Sequence, residues 1–311
     1  MKTEKALITG GAGFIGSHLV DDLIKNGYEV MIVDNLLSGN KENISNIVSN
    51  NIYYDDIGSD QVLQNIIEFD PDICFHLAAQ SSVVISVDNP MLDFEHNILQ
   101  PLKLIKVLLT TNCRKLVFSS SGGTIFGEPE IIPTSEKDFA GEPESPYGVA
   151  KKRLNEFIEL LLEDIPTMSY SILNFSNVYG PRQDPNGEAG VISIFTSKMM
   201  NNAEPIVFGD GKQTRDYIYV QDVVDALIKS SEIDENLFLN IGTGVETSVN
   251  ELVSTLKNTI GYEGKVLYYP KRDGELLRSV LDNSKAKKVL GWDPKFSLND
   301  GIIELIQWLK A

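Results

Sequence analysis

Cysteine is scarce in this chain, with two among 311 residues, Cys74 and Cys113. Each lies in an apolar stretch, one strand-like ("DICFHLAA") and one at the end of a helical pattern. Buried, reduced thiols are therefore expected, not a disulfide framework. Histidine is scarce too. His18, His76 and His96 form no close cluster with either cysteine, which argues against a metal site. Basic residues are outnumbered, 27 Lys and Arg against 44 Asp and Glu, for a formal charge of −17. Phosphate backbones want a basic surface, so nucleic acid is a poor partner. A phosphate ligand would need a few local arginines working against the field of the whole chain. No apolar run approaches the ~18 residues a membrane span needs. The opening stretch "MKTEKALITGG" lacks the long apolar segment and small-residue cleavage site of a signal peptide. A cytoplasmic enzyme with no metal is the expectation.

What is present is the composition of a globular protein, 42% apolar and 23% charged. There is no internal repeat or low-complexity tract. Short β-branched runs alternate with helical patterns: "KALIT", then "FIGSHLVDDLIKN", "EVMIVD", "SDQVLQNIIEF", "PDICFHLAA", "PLKLIKVLLTTN", "RKLVFSSS", residues 147–163, and "SYSILNF". Continuous apolar strands separated by helices predict a parallel sheet covered on both faces. The fold class is thus α/β, a doubly wound parallel sheet of Rossmann type. Beyond about residue 175 the pattern loosens into a smaller mixed α/β lobe. The expected division is 1–175, also receiving segments near 217–241, and a discontinuous lobe at 176–311.

"LITGGAGFIG" sets Gly10, Gly13 and Gly16 between the first strand and the first helix, with Phe14 and Ile15 opening that helix. Such a turn lets backbone approach a pyrophosphate, and the helix N-terminus offers unpaired N–H groups. A tight turn alone would also explain glycines here. The strand before the turn, the helix after it and Asp34 at the end of the second strand favour cofactor binding, since an acid at that distance suits a ribose 2′-hydroxyl. It would repel a 2′-phosphate, which favours NAD over NADP.

"FSSSGGTIFG" ends another strand and "HLAAQSS" the strand before it. Ligands bind at the carboxyl ends of strands in open α/β sheets, so both loops are candidate site walls. His76 reads as a satisfied strand residue, not a catalyst. In "SPYGVAKKRLNEF", Tyr147 and Lys151 share one helical face. A free phenol ionises near pH ~10. A nearby ammonium and an oxidised nicotinamide both favour phenolate, which would bring the pair into range for acid/base transfer.

Together these residues resemble the nucleotide-sugar epimerases of the extended short-chain dehydrogenases/reductases, nearly end to end. The marks are the glycine loop, "DN" at 34–35, "HLAA", the serine loop, "YGVAK", "NVYGPRQ", "TRDYIYVQD" and "NIGTG". The resemblance implies a role for each matching position. Asp34 and Asn35 would hold the adenosine ribose, and Asp56 and Ile57 would flank the adenine. Ala78, Ala79 and Gln80 would line the nicotinamide side, with Asn97 behind them. Tyr147 would be the base at the sugar's 4-hydroxyl, supported by Lys151. Asn177, Arg215 and Arg272 would contact the substrate diphosphate, Val191 and Ile192 would pass near the nucleotide, and Glu275 would reach the uridine ribose. The family's catalytic Ser or Thr falls by simple counting on Gly122. Either the loop carries an extra residue and Ser121 serves, or Thr124 substitutes; Ser121 is preferred, with Thr124 as a secondary contact.

The implied reaction is NAD-dependent 4-epimerisation of a UDP-hexose through a transient 4-keto sugar. Related dehydratases and decarboxylases carry an acid just after the catalytic hydroxyl, where this chain has Gly122, Gly123 and Thr124. A non-catalytic dinucleotide-sensing regulator is a weaker alternative, because it has no need of the Tyr/Lys pair. Ser279 matches a position where relatives confined to plain hexoses place a tyrosine. A small residue there favours UDP-N-acetylglucosamine and UDP-N-acetylgalactosamine, with UDP-glucose and UDP-galactose also accepted. A homodimer is expected.

Overall fold

The computed structural model describes residues 3–47, 49–138, 141–185, 190–271 and 276–310. Strands and helices alternate along the first half as β1 (Lys5–Thr9), α1 (Phe14–Lys25), β2 (Glu29–Val33), β3 (Ile52–Tyr53), α2 (Asp60–Phe69) and β4 (Ile73–His76). Two short helices follow, α3 (Val83–Asp88) and α4 (Pro90–Phe94), then a π-helical turn (Glu95–Leu99) and α5 (Gln100–Leu108). β5 (Lys115–Ser121), α6 (Pro146–Leu162) and β6 (Ser169–Phe175) complete this half. The second half runs β7 (Asn177–Tyr179), α7 (Val191–Met200), β8 (Ile206–Phe208), β9 (Thr214–Arg215), β10 (Tyr217–Tyr219), α8 (Val220–Ser231), β11 (Leu237–Ile241), β12 (Thr247–Ser248), α9 (Val249–Ile260), β13 (Leu267–Tyr269), β14 (Arg278–Ser279), α10 (Ser284–Leu290) and α11 (Leu298–Lys310).

Seven strands form one parallel sheet in the order β11-β6-β5-β4-β1-β2-β3. The Rossmann-type doubly wound fold expected from the alternating pattern is what the chain adopts. Its central strands are buried on both faces, which is why they read as unbroken apolar runs. Ala6 and Ile8 of β1 join the core under α1 and α8, while Leu7 joins the core under α2, α5 and α6. Local chemistry marks the helix starts. Ser59 caps α2 by accepting from Val62 N. Ser145 caps α6 by accepting from Gly148 N, with Pro146 in the first turn. Ser248 and Glu251 form a capping box on α9.

Strand register positions the site. Thr9 pairs with Val33 on one side and His76 on the other, so Gly10, Asp34 and Leu77 leave their strands at one level. His76 pairs with Phe118, and Ser121 with Phe175. The carboxyl ends of β1, β2, β4, β5 and β6 therefore open at one edge, where the strand order reverses between β1 and β4. The smaller lobe packs α7, α9 and α11 around Tyr179, Phe195 and Leu256, with β10–β7, β12-β9-β14 and β13–β8 as its small sheets. β11 returns from this half of the sequence to the edge of the large sheet. No helix among the described residues is long and apolar enough to cross a membrane.

Candidate active site

The glycine loop is pressed against the end of β4. Gly10 has φ +72, and a Cβ there would sit 2.7 Å from Ala78 N. A Cβ on Gly16 would collide with the Gly10 carbonyl. Only glycine permits this approach, and it leaves the N-terminus of α1 facing a cavity of about 550 Å³. Asp34 is buried at its edge. Its Oδ2 accepts from Ala12 N at 2.9 Å and its Oδ1 from Leu36 N at 2.8 Å. Burial raises the carboxyl's pKa and the backbone N–H groups pull it back.

Every residue expected to hold the cofactor lines this cavity except Asp56 and Asn97. Asp56 turns instead to Asn35, accepting from its Nδ2 at 2.7 Å, and Asp55 takes its place beside Ile57 on the cavity wall. Asn97 lies one layer back, as expected. It accepts from Gln80 N at 3.1 Å and donates to Gln80 O and Asp93 Oδ1, both at 2.8 Å. A dinucleotide fits this cavity: a glycine cradle at one wall, a buried carboxylate at the end of β2, and small alanines along the floor.

Tyr147 and Lys151 close the cavity on the α6 side. Lys151 is buried, donates to Ser119 O at 3.0 Å, and holds its ammonium 5.9 Å from the centre of the Tyr147 ring. Burial lowers its pKa to about 7, against a raising influence from Asp93. The expectation that Lys151 draws the phenol down is not met in the protein by itself. Burial around the hydroxyl raises Tyr147 to about 12, a hydrogen bond with Ser121 pulls the other way, and Asp93 adds to the rise. Desolvation of the phenol is the largest of these influences. Of the two candidate hydroxyls, Ser121 meets the phenol; Thr124 donates to Ser121 O at 3.4 Å. His76 is fully buried, with Nδ1 2.7 Å from Thr9 Oγ1 and a pKa lowered by burial to about 3. It stays neutral under the floor, but it is not fully satisfied as expected, because its buried Nε2 finds no hydrogen-bond partner among the described residues.

A second cavity, of about 400 Å³, lies beyond Ser121. Ser121, Phe175 and Ser176 border both cavities. Thr124, Asn177, Arg215 and Ser279 line the second, and the pairing of Ser279 with Arg215 across β14 and β9 brings the last two together. Asp216, next to Arg215, is buried and accepts from Thr243 N at 2.8 Å, Gly244 N at 3.1 Å and Leu281 N at 3.4 Å, which ties three loops of this wall together. Val191 and Ile192 line neither cavity. Ile192 is buried in the core of the smaller lobe with Val191 packed against it, because apolar residues at the start of α7 face α9 and α11. Arg272 and Glu275 lie outside the described residues.

Gly122 has a steric reason. A Cβ there would sit 2.5 Å from Leu281 Cδ1 and 3.2 Å from Phe175 O, so no acid can follow Ser121 without repacking the strand end. Arg182, Asp184 and Glu144 line the cavities and were not singled out from the sequence. Asp93 was missed for want of any periodic signal around it.

The sequence profile of the GDP-mannose 4,6 dehydratase family matches residues 7–305. The chain belongs to that family. Its solved relatives bear out the likeness to nucleotide-sugar epimerases. It is 44% identical to the UDP-glucose 4-epimerase of Thermotoga maritima, solved with UDP-glucose, over 98% of both chains, with a TM-score of 0.93. It is 34% identical to the UDP-N-acetylglucosamine 4-epimerase of Methanobrevibacter ruminantium, solved with UDP-N-acetylmuramic acid, over 100% and 99% of the two chains, also at 0.93. The UDP-glucose 4-epimerase of Thermus thermophilus, solved with NAD, is 35% identical over 99% of each chain, at 0.90. Within its family the chain is an enzyme of the UDP-sugar 4-epimerase type.

Proposed function

We propose that this enzyme epimerises UDP-hexoses at C4 with NAD held in the larger cavity, and that its favoured pair is UDP-N-acetylglucosamine and UDP-N-acetylgalactosamine. The observation that carries the reading is the position of Ser121 and Tyr147, with Ser121 on the shared wall of a dinucleotide-sized cavity and a second, smaller one. The glycine loop, Asp34 and Lys151 would hold NAD. Bound NAD would supply the hydride chemistry, accepting the C4 hydrogen with its two bonding electrons and returning them to the other face. Tyr147 accepts the O4 proton as its phenolate, the form that a cationic ring beside it would favour. Ser121 orients O4 by hydrogen bonding alongside Tyr147, and Lys151 in its protonated form would put positive charge under the pair. Asn177 and Arg215 grip the diphosphate from the far wall; guanidinium geometry suits phosphate oxygens. The 4-keto sugar turns over between them, and Tyr147 gives the proton back.

Ser279 leaves room on the wall of the smaller cavity for an acetamido group at C2. A tyrosine there would overpack it, at a cost of roughly 1–3 kcal/mol, enough to slow the acetylated pair about tenfold or more. The test is a side-by-side rate measurement on the acetylated and plain pairs, with wild type and Ser279→Tyr. We expect both pairs to interconvert in wild type and only the acetylated pair to slow in the variant. No turnover of either pair would overturn the reaction. An unchanged acetylated rate in the variant would overturn the role of Ser279. We also infer a homodimer, supported by an exposed apolar face on α4 and α6 that includes Met91, Phe94 and Leu160.

A further inference from the structure

The larger cavity is poor in cations. Asp34, Asp55 and Asp184 line it, on a chain of net charge −17, yet the pyrophosphate of a dinucleotide brings two more negative charges. Lys151 and Arg182 are the lysine and arginine on its walls among the described residues. Lys151 is committed to the Ser119 carbonyl beside Tyr147. Arg182 stands elsewhere, against α1.

Three observations make Arg182 more than a surface ion pair. First, its turn is docked on the helix that follows the glycine loop. His18 Nε2 lies 2.9 Å from Pro181 O, and Arg182 Nη2 donates to Asp21 Oδ2 at 2.7 Å. Second, its backbone is left-handed, with φ +69, a conformation uncommon outside glycine and found disproportionately where a side chain must be aimed. Third, its Nη1 is buried and finds no hydrogen-bond partner among the described residues. A charged donor left unpaired out of water is costly, and native structures retain one mainly where something else completes it.

We propose that Arg182 is a pyrophosphate-binding residue: Asp21 anchors one side of the guanidinium, and the remaining donor meets the dinucleotide phosphates at the N-terminus of α1. The inference rests on the NAD reading above. Anchoring by Asp21 fixes the fork before the ligand arrives, so little side-chain entropy is lost on binding. The guanidinium also supplies the local positive charge that the rest of this acidic cavity lacks.

Calorimetry on nucleotide-free protein tests it with three probes: NAD, ADP-ribose, which keeps the pyrophosphate, and adenosine, which lacks it. A hydrogen bond to a charged group corresponds to about tenfold or more in affinity. We expect Arg182→Ala to weaken NAD and ADP-ribose by about that factor and adenosine by less than about twofold, and Arg182→Lys to recover part of the loss. Asp21→Asn, which leaves the guanidinium in place, should cost less than Arg182→Ala. Unchanged ADP-ribose affinity in Arg182→Ala would overturn the proposal. So would an equal loss of adenosine, which signals a collapsed cavity, or an Asp21→Asn loss as large as that of Arg182→Ala, which signals a purely structural staple. A wild-type protein that bound neither NAD nor ADP-ribose would instead overturn the cofactor reading itself.

Discussion

Asp93 is a buried carboxylate held by amides: Gln80 Nε2 donates to it at 2.9 Å and Asn97 Nδ2 at 2.8 Å. Its charge acts on both members of the proposed acid/base pair, raising Lys151 and raising Tyr147. The consequence for Asp93→Asn has a definite sign. Without the anion, the ammonium of Lys151 gives up its proton below its present value of about 7. Without the repulsion, the phenolate of Tyr147 forms at lower pH. Both changes move the same way, so the pH profile of kcat/KM should shift to lower pH, and an unshifted profile would remove Asp93 from the electrostatics of the site. Tyr147, Lys151 and Ser121 could be read from the sequence because a four-residue spacing and a strand end locate them. Asp93 could not, because α3, α4 and the π-helical turn are too short to show a period. Arg182 sits inside a motif that was recognised, but its meaning depends on Asp21, 161 residues earlier.

At the level of elements, the large sheet was readable because its longer strands are buried apolar runs flanked by a helical pattern on at least one side. The small sheets were not: β9, β12 and β14 are two residues long, and their pairing joins segments far apart in sequence. No propensity argument reaches a two-residue strand; what holds it is the surrounding lobe and hubs such as Asp216. The glycine loop and β2 make the element most directly tied to function. Register places Gly10 and Asp34 side by side, and the Asp34 carboxylate is already fixed by Ala12 and Leu36. A rigid, buried carboxylate cannot swing away from a 2′-phosphate. NAD should therefore bind at least about tenfold more tightly than NADP; equal affinities in a calorimeter would show that Asp34 does not face the ribose.

At the scale of the whole molecule, charge and apolar surface pull in opposite directions. The chain carries −17, so two copies repel. Yet α6, which carries Tyr147 in its first turn, leaves Val149, Phe157 and Leu160 exposed along one stripe, and the adjoining α4 leaves Met91 and Phe94 exposed. Leu160 is 76% exposed and Met91 74%. A stripe of large apolar groups on neighbouring helices is unusual for a surface that stays bare. Facing a second copy of itself across a two-fold axis, the same stripe would be covered on both sides at once. If two copies pair through this face, wild type should show twice the chain mass of 34.5 kDa in sedimentation equilibrium, and Leu160→Glu combined with Met91→Glu should return it to the single-chain mass. Salt gives a second check on the physics. Contacts between apolar groups survive screening, whereas repulsion between two acidic protomers does not, because the Debye length falls from about 10 Å at 0.1 M to about 3 Å at 1 M. The proposed dimer should therefore tighten as sodium chloride is raised. A wild-type chain that stays monomeric at high salt and high concentration would show that this face does not bind its own copy.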